Sequence, residues 1–170
     1  DFGEFTTLPR TLRNKLVASF DIFAVTPIKT IYSEDRQATK TLFKLGDGCL
    51  IETVLMLYED RRTACISTQS GCGLGCVFCA TGQMGLSRNL SSGEIVAQVL
   101  FFARELAKNR DRITNVVFMG MGEPFHNYDH VMKAVNLIND PRGFGLGARR
   151  ITISTAGIVP KIKAFAEEDL

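Results

Sequence analysis

Three cysteines stand in the run Gly71-Cys72-Gly73-Leu74-Gly75-Cys76-Val77-Phe78-Cys79, spaced C-x3-C-x2-C with an aromatic before the last. Thiolates this close can cap three irons of a cubane cluster and leave the fourth iron without a protein ligand. An open iron is a place where chemistry can happen. Gly71, Gly73 and Gly75 let the backbone wrap closely about a bulky group. Zinc is the alternative, and it needs a fourth ligand, usually from a second Cys/His pair. His126 and His130 have metal-like spacing, but no Glu stands between them as in a zincin helix. They read better as two polar residues near a helix start. Three cysteines in eight positions, interleaved with glycine, do not look like core.

Four further positions could carry chemistry, and each has a plainer reading. In Gly120-Met121-Gly122-Glu123-Pro124 the glycines would let a ligand touch the main chain, and the carboxylate could pair with an ammonium group. The same run could be a tight turn with Glu123 at a helix N-terminus, where negative charge is stabilised anyway. Ser154 ends a strand and could be a solvent-facing serine. Cys65, seven residues before Cys72, would by itself more often be a small buried hydrophobe than a reactive thiol. Glu52 alternates with apolar neighbours, as the wet face of a half-exposed strand would.

The elements that must position these residues follow from hydrophobic spacing. Leu12, Leu16 and Phe20 predict a short amphipathic helix, with Pro9 and Pro27 as boundary marks. Residues 41–45 and 50–57 read as two strands of a hairpin turning at Gly46-Asp47-Gly48. From Arg62 onward strand, loop and helix repeat. Thr63 to Thr68 is a strand feeding the cysteine loop. Ser91 and Glu94 stand at capping-box spacing before a helix reaching about Asn109, with Ile95, Val99, Phe102 and Leu106 on its apolar face. Ile113 to Met119 reads as a strand buried on both faces. A helix follows near Tyr128 to Asn139, then a strand over Arg150 to Thr155, then a helix after Pro160. This is α/β alternation with a parallel sheet, and the candidate loops all follow strand C-terminal ends. Only about three β/α units fit, against the ~250 residues typical of a complete eight-fold barrel. The chain therefore reads as a fragment of a larger protein.

The totals bound the answer further. The 170 residues are 45% hydrophobic and 22% charged, enough for one globular domain, and the formal net charge is +2. So small an excess neither requires nor excludes nucleic acid. Arg61, Arg62, Arg88, Lys108, Arg110, Arg112, Arg149 and Arg150 could meet phosphates, or could form a solvated face with cations favoured at a helix end. No apolar run is long enough to span a bilayer, and the start lacks the order of a signal peptide. Five cysteines without an export signal argue against a secreted disulfide framework and for a reducing compartment, the cytoplasm or, if a transit peptide has been removed, an organelle stroma. Cys49 matches no functional position and reads as structural.

The cysteine run, following a first barrel strand, resembles the signature of radical S-adenosylmethionine enzymes. The resemblance goes further. Cys65-Ile66-Ser67-Thr68-Gln69-Ser70-Gly71-Cys72, Thr81-Gly82-Gln83-Met84-Gly85-Leu86-Ser87-Arg88-Asn89-Leu90, Gly120-Met121-Gly122-Glu123-Pro124 and Arg149-Arg150-Ile151-Thr152-Ile153-Ser154-Thr155-Ala156-Gly157 occur in order. Together they resemble the RlmN/Cfr family of RNA adenine methyltransferases over nearly the whole chain, most weakly in residues 1–40.

That resemblance implies a partial (βα)6 barrel, a 4Fe–4S cluster and S-adenosylmethionine as cofactors. Residues 1–35 would be the tail of an N-terminal accessory, RNA-binding domain, 36–60 a β-hairpin extension, and 61–170 the first half of the barrel. Cys72, Cys76 and Cys79 would hold the cluster, whose open iron chelates S-adenosylmethionine and whose electron releases a 5′-deoxyadenosyl radical. Phe78, Gly122, Glu123 and Ser154 would contact S-adenosylmethionine. Glu52 would take the ring proton. Cys65 would resolve a crosslink between adenine and a second, methyl-carrying cysteine by forming a disulfide with it. No cysteine follows Cys79, so that second cysteine is expected beyond Leu170 and the fragment alone is expected to be inactive. The implied activity is C2 methylation of adenosine in 23S rRNA and in tRNA. C8 methylation, of the antibiotic-resistance type, and a different radical S-adenosylmethionine enzyme are the alternatives. The implied partners are the RNA and an electron donor such as flavodoxin or ferredoxin. The protein is expected to be monomeric, with no membrane partner.

Overall fold

The computed structural model describes residues 2–20 and 23–170. Helix α1 (Arg10–Ser19) precedes three antiparallel strands, β1 (Val25–Tyr32), β2 (Ala38–Leu45) and β3 (Leu50–Leu57). Strand β4 (Arg62–Cys65) pairs antiparallel with β3. It leads into a small sheet of β5 (Gln69–Gly71) and β6 (Leu86–Asn89), which flank the short helix α2 (Ala80–Gln83). Then come α3 (Ser92–Ala107), β7 (Asn115–Phe118), α4 (Tyr128–Asn139), β8 (Ile151–Ile153) and α5 (Val159–Ala166). The large sheet has the order β1-β2-β3-β4-β7-β8, with β4, β7 and β8 parallel. The chain is thus α/β, a run of parallel strand–helix units extended by an antiparallel meander.

Alternation explains which sheet face is covered. Phe43 on β2, Ile51 and Leu55 on β3, Ala64 on β4, and Val116 and Phe118 on β7 are buried. They pack with Ile95, Val99, Phe102 and Leu106 of α3 and Val131, Val135 and Ile138 of α4 in one core. At ~25 cal/mol per Å2 of apolar surface, each such side chain contributes about 1.5–3 kcal/mol. Phe43 meets Phe101 of α3 edge to face at 4.9 Å, so α3 reaches over the meander as well as over β4. The expected capping box is present: the Ser91 side chain accepts from the Glu94 N–H, and the Glu94 side chain accepts from the Ser91 N–H.

Two sequence expectations change. β7 is buried on one face only, since Val117 is half-buried and Met119 exposed, because helices cover a single side of the sheet. Pro27 lies inside strand β1 instead of bounding a helix. β1 is an edge strand with a register shift between Pro27 and Lys29, where a residue without an N–H costs no ladder bond. Helix α1 forms as expected, and none of its residues is buried.

Candidate active site

The face of the sheet away from the helices carries the candidate residues. Direct cross-strand partners point to the same side. The register runs Lys40↔Val54, Val54↔Cys65, Cys65↔Val117 and Val117↔Thr152. Cys65 therefore sits mid-row across five strands, β2, β3, β4, β7 and β8. Glu52 lies two residues from Val54 on the same strand and so shares that face. Its carboxylate is 43% exposed and pairs with the Lys40 ammonium at 3.1 Å, so it is not the sealed carboxylate that a buried setting would give. Burial pushes the Cys65 thiol up from its ordinary value, partly offset by a hydrogen bond with the Met119 backbone.

The cysteine loop leaves β5 and folds back on α2. Gly71 has φ +78°, and a Cβ there would collide with the Gly85 carbonyl oxygen, to which the Cys72 N–H donates at 2.9 Å. A Cβ at Gly82 would come within 2.9 Å of the Cys76 nitrogen. The loop is thus closed by glycines that admit backbone against backbone. Cys72 is buried, Cys76 and Cys79 are half-buried, and all five cysteines are free thiols. Phe78 is 90% exposed at the rim.

The donor set fits an iron–sulfur cluster. Its three free thiols stand on one glycine-closed loop, and three thiolates from one loop are the ligand type that iron–sulfur clusters take. His126 and His130 are exposed on the first turns of the helical segment after Glu123.

The loop after β7 lies directly over the residues that lead from Cys65 to the cysteine loop. Cβ atoms at Gly120 and Gly122 would come within 2.7 Å of the Ile66 carbonyl and 2.5 Å of the Gln69 side chain. Glu123 is 3% exposed. Its two oxygens accept the Phe125 N–H at 2.8 Å and the Ala156 N–H at 2.7 Å. Each carboxylate oxygen keeps a second lone pair for a ligand cation. Ser154, just past β8, is exposed, with its N–H 3.5 Å from the Phe118 carbonyl.

Sequence reasoning missed a buried polar bracket beneath this loop. The Ser67 hydroxyl donates to the Glu52 carbonyl at 2.6 Å and accepts from the Met121 N–H at 2.8 Å. The Gln98 amide, fully buried, accepts from the Ser67 N–H and the Thr53 hydroxyl and donates to the Ser67 carbonyl. Gln69 accepts from the Glu123 N–H at 2.8 Å and donates to Asn89 at 2.7 Å. Strand β3, the Cys65 strand and the glycine loop are thereby fixed to one another. A glutamine three residues after Ile95, on the apolar face of α3, was the available signal.

The basic residues separate into two groups. Arg88 is held by Glu94 at 2.7 Å and by Asp47, Arg62 by Asp111 and Lys108 by Glu105. Arg61 stacks over Tyr58, and Arg110, Arg112, Arg149 and Arg150 have no carboxylate within salt-bridge distance among the described residues.

A parallel strand–helix unit that delivers a C-x3-C-x2-C loop at a strand C-terminal end defines a class, and residues 66–170 match the Radical SAM superfamily. The chain is 51% identical to the probable dual-specificity RNA methyltransferase RlmN of Chloroflexus aurantiacus, over 98% of this chain and 46% of that protein. It is 48% identical to the ribosomal RNA large subunit methyltransferase N of Nitrosopumilus maritimus, over 100% of this chain and 51% of that one. A crystal structure of a radical SAM methyltransferase from Sphaerobacter thermophilus superposes with a TM-score of 0.96 at 48% identity, covering 100% of this chain and 50% of that one. The chain belongs to the radical SAM superfamily and, within it, to the RlmN/Cfr family. Membership implies a 4Fe–4S cluster and S-adenosylmethionine. The chain spans about half the length of the curated relatives it matches.

Proposed function

We propose that the whole protein methylates C2 of adenosine in 23S rRNA and in tRNA. The observation that carries this reading is the placement of Cys65 on the same open sheet face as Glu52, on the strand that feeds the three-cysteine loop. A thiol there is where methyl transfer through cysteine would need its resolving sulfur. Similarity to proteins named as RNA methyltransferases supports the same reading.

In this reading Cys72, Cys76 and Cys79 hold the cluster, and Phe78, Gly122, Glu123 and Ser154 hold S-adenosylmethionine. Together these groups supply one-electron radical chemistry and the methyl group. Glu52 takes the ring proton on a carboxylate oxygen, and Lys40 keeps that carboxylate facing the open side. Cys65 Sγ, as thiolate, forms an S–S bond with the sulfur of a second cysteine carrying the adenine adduct. The sulfur–carbon bond breaks, its electron pair goes to the methylene carbon, and a proton completes the methyl group.

The expected boundary at residue 35 would split the sheet, since β1 (Val25–Tyr32) pairs with β2; in this reading an accessory RNA-binding domain would end before Val25, β1 to β3 would form the extension, and 61–170 the first half of the barrel. The protein would act as a cytoplasmic monomer that receives electrons from a flavodoxin or ferredoxin. The test is anaerobic reconstitution of the full-length protein with 23S rRNA or tRNA, followed by mass spectrometry of nucleosides. 2-Methyladenosine is expected; 8-methyladenosine would move the protein to the C8 branch, and an unmodified adenosine pool would refute RNA methylation.

A further inference from the structure

Arg110, Arg112, Arg149 and Arg150, with no carboxylate within salt-bridge distance among the described residues, gather at the end of the sheet away from the chemistry. Because β4, β7 and β8 are parallel, the segments before them share one end. Contacts confirm the grouping: the Thr114 N–H donates to the Arg62 carbonyl at 2.9 Å, and Arg150 Nη1 lies 3.4 Å from the Thr114 carbonyl. Arg112 and Arg150 border one cleft of about 350 Å3, with Ile113, Thr114, Phe144 and Leu146 along its wall. Asp111 also borders it, but its carboxylate is taken by Arg62 at 2.5 Å, which holds it well below the usual carboxylate range. Arg110 and Arg149 are exposed nearby in sequence on the same two loops.

A solvated helix end does not explain this group. Arg110 follows the C-terminus of α3, where a cation is favoured. Arg149 and Arg150 instead form a 3-10 turn ahead of a strand, with no α-helix ending there. Arg110 also has φ +58°, a left-handed conformation that a side chain adopts at a cost and that glycine would adopt more cheaply. The cleft combines exposed guanidinium groups, which match phosphate geometry, with a half-buried phenyl ring that a base could stack against.

An acidic electron donor is the other anionic partner to consider. It must approach the cysteine loop, and the four residues of β7 alone put about 13 Å between the two ends of the sheet.

We infer that the cleft between the loops preceding β7 and β8 is a second contact for RNA phosphates, remote from the adenine being modified. This rests on the reading of the whole protein as an RNA-modifying enzyme. It gives the chain a grip on a folded RNA at a distance from the base that must be presented at the other end.

The test uses full-length protein with Arg110, Arg112, Arg149 and Arg150 each changed to Gln, and with the 110/112 and 149/150 pairs changed separately. RNA affinity is measured from low to high salt. Four lost phosphate contacts should flatten the slope of log K against log salt by about 3, and each pair by about half of that. Iron content and single-turnover methylation at saturating RNA should be unchanged. A slope equal to that of wild type, in protein that binds and methylates RNA, overturns the inference. So does unchanged RNA affinity with slowed reduction of the cluster by a protein donor, which would assign the cleft to an acidic protein. Wild-type protein that does not bind RNA at all defeats this inference together with the functional reading, and is distinguishable because the failure precedes any substitution.

Discussion

The Glu123 carboxylate accepts the backbone N–H of Ala156 at 2.7 Å and thereby joins the loop after β7 to the loop after β8. The two loops that carry the proposed S-adenosylmethionine contacts share this one buried anion. Replacing Glu123 by Gln keeps the shape but offers an amide N–H2 to a backbone N–H, so at least one of the two bonds is lost. A loss of about 1–3 kcal/mol in stability is expected. Affinity for S-adenosylmethionine should also weaken. Thermal melts with and without S-adenosylmethionine measure both, and a variant that binds it as wild type does would remove Glu123 from the site.

Cys65 makes a sharper prediction. In the full-length protein, Cys65→Ala should retain iron and sulfide but accumulate a covalent enzyme–RNA adduct, visible as a shifted band on a denaturing gel. Normal turnover by this variant would return Cys65 to the role of a packing residue.

The pH dependence of that resolving step follows from burial. The attacking species is the thiolate. Burial holds the Cys65 thiol protonated to higher pH than an ordinary cysteine. Decay of the adduct in wild-type protein should therefore speed up with rising pH and still be rising through the usual thiol range. A rate that levels off well below that range would show that Cys65 does not limit the step.

Gly71 and Gly75 both have positive φ, but only Gly71 is crowded. Gly75→Ala meets open space and should cost about 1–3 kcal/mol of local strain. Gly71→Ala adds a collision with the Gly85 carbonyl, which anchors Cys72. Iron bound after reconstitution should fall modestly for Gly75→Ala and nearly vanish for Gly71→Ala. Equal loading of the two would mean that the loop closure is not what holds the cluster.

Gln98→Leu tests the buried bracket. It strands the Ser67 N–H and the Thr53 hydroxyl, each worth roughly 1–3 kcal/mol when left unsatisfied, so a loss of about 2–6 kcal/mol is expected. Chemical denaturation reads this directly as a lower midpoint. A change under about 0.5 kcal/mol would show that water or rearrangement replaces the amide.

What the sequence revealed depended on distance along the chain. Helix α3 was readable because its cap and its apolar face lie within sixteen residues. The Gly46-Asp47-Gly48 turn was readable for the same reason. Strand β1 was not, because seven of its eight residues are not buried and Pro27 hid the period of two. The polar bracket was invisible because Ser67 and Gln98 are 31 residues apart and meet only once α3 packs on the sheet. The arginine cleft needed the parallel register, which brings the segments before β7 and β8 to one end. The cysteine loop was legible as a motif, but the sharing of a face by Glu52 and Cys65 needed the pairing of β3 with β4.

The bulge and Pro27 in β1 have an effect on assembly as well as on shape. They leave that margin of the sheet poorly suited to accept another strand, and Lys29 beside them adds a charge. Edge-to-edge pairing with another strand is therefore disfavoured along β1, so this margin keeps the sheet from extending past it.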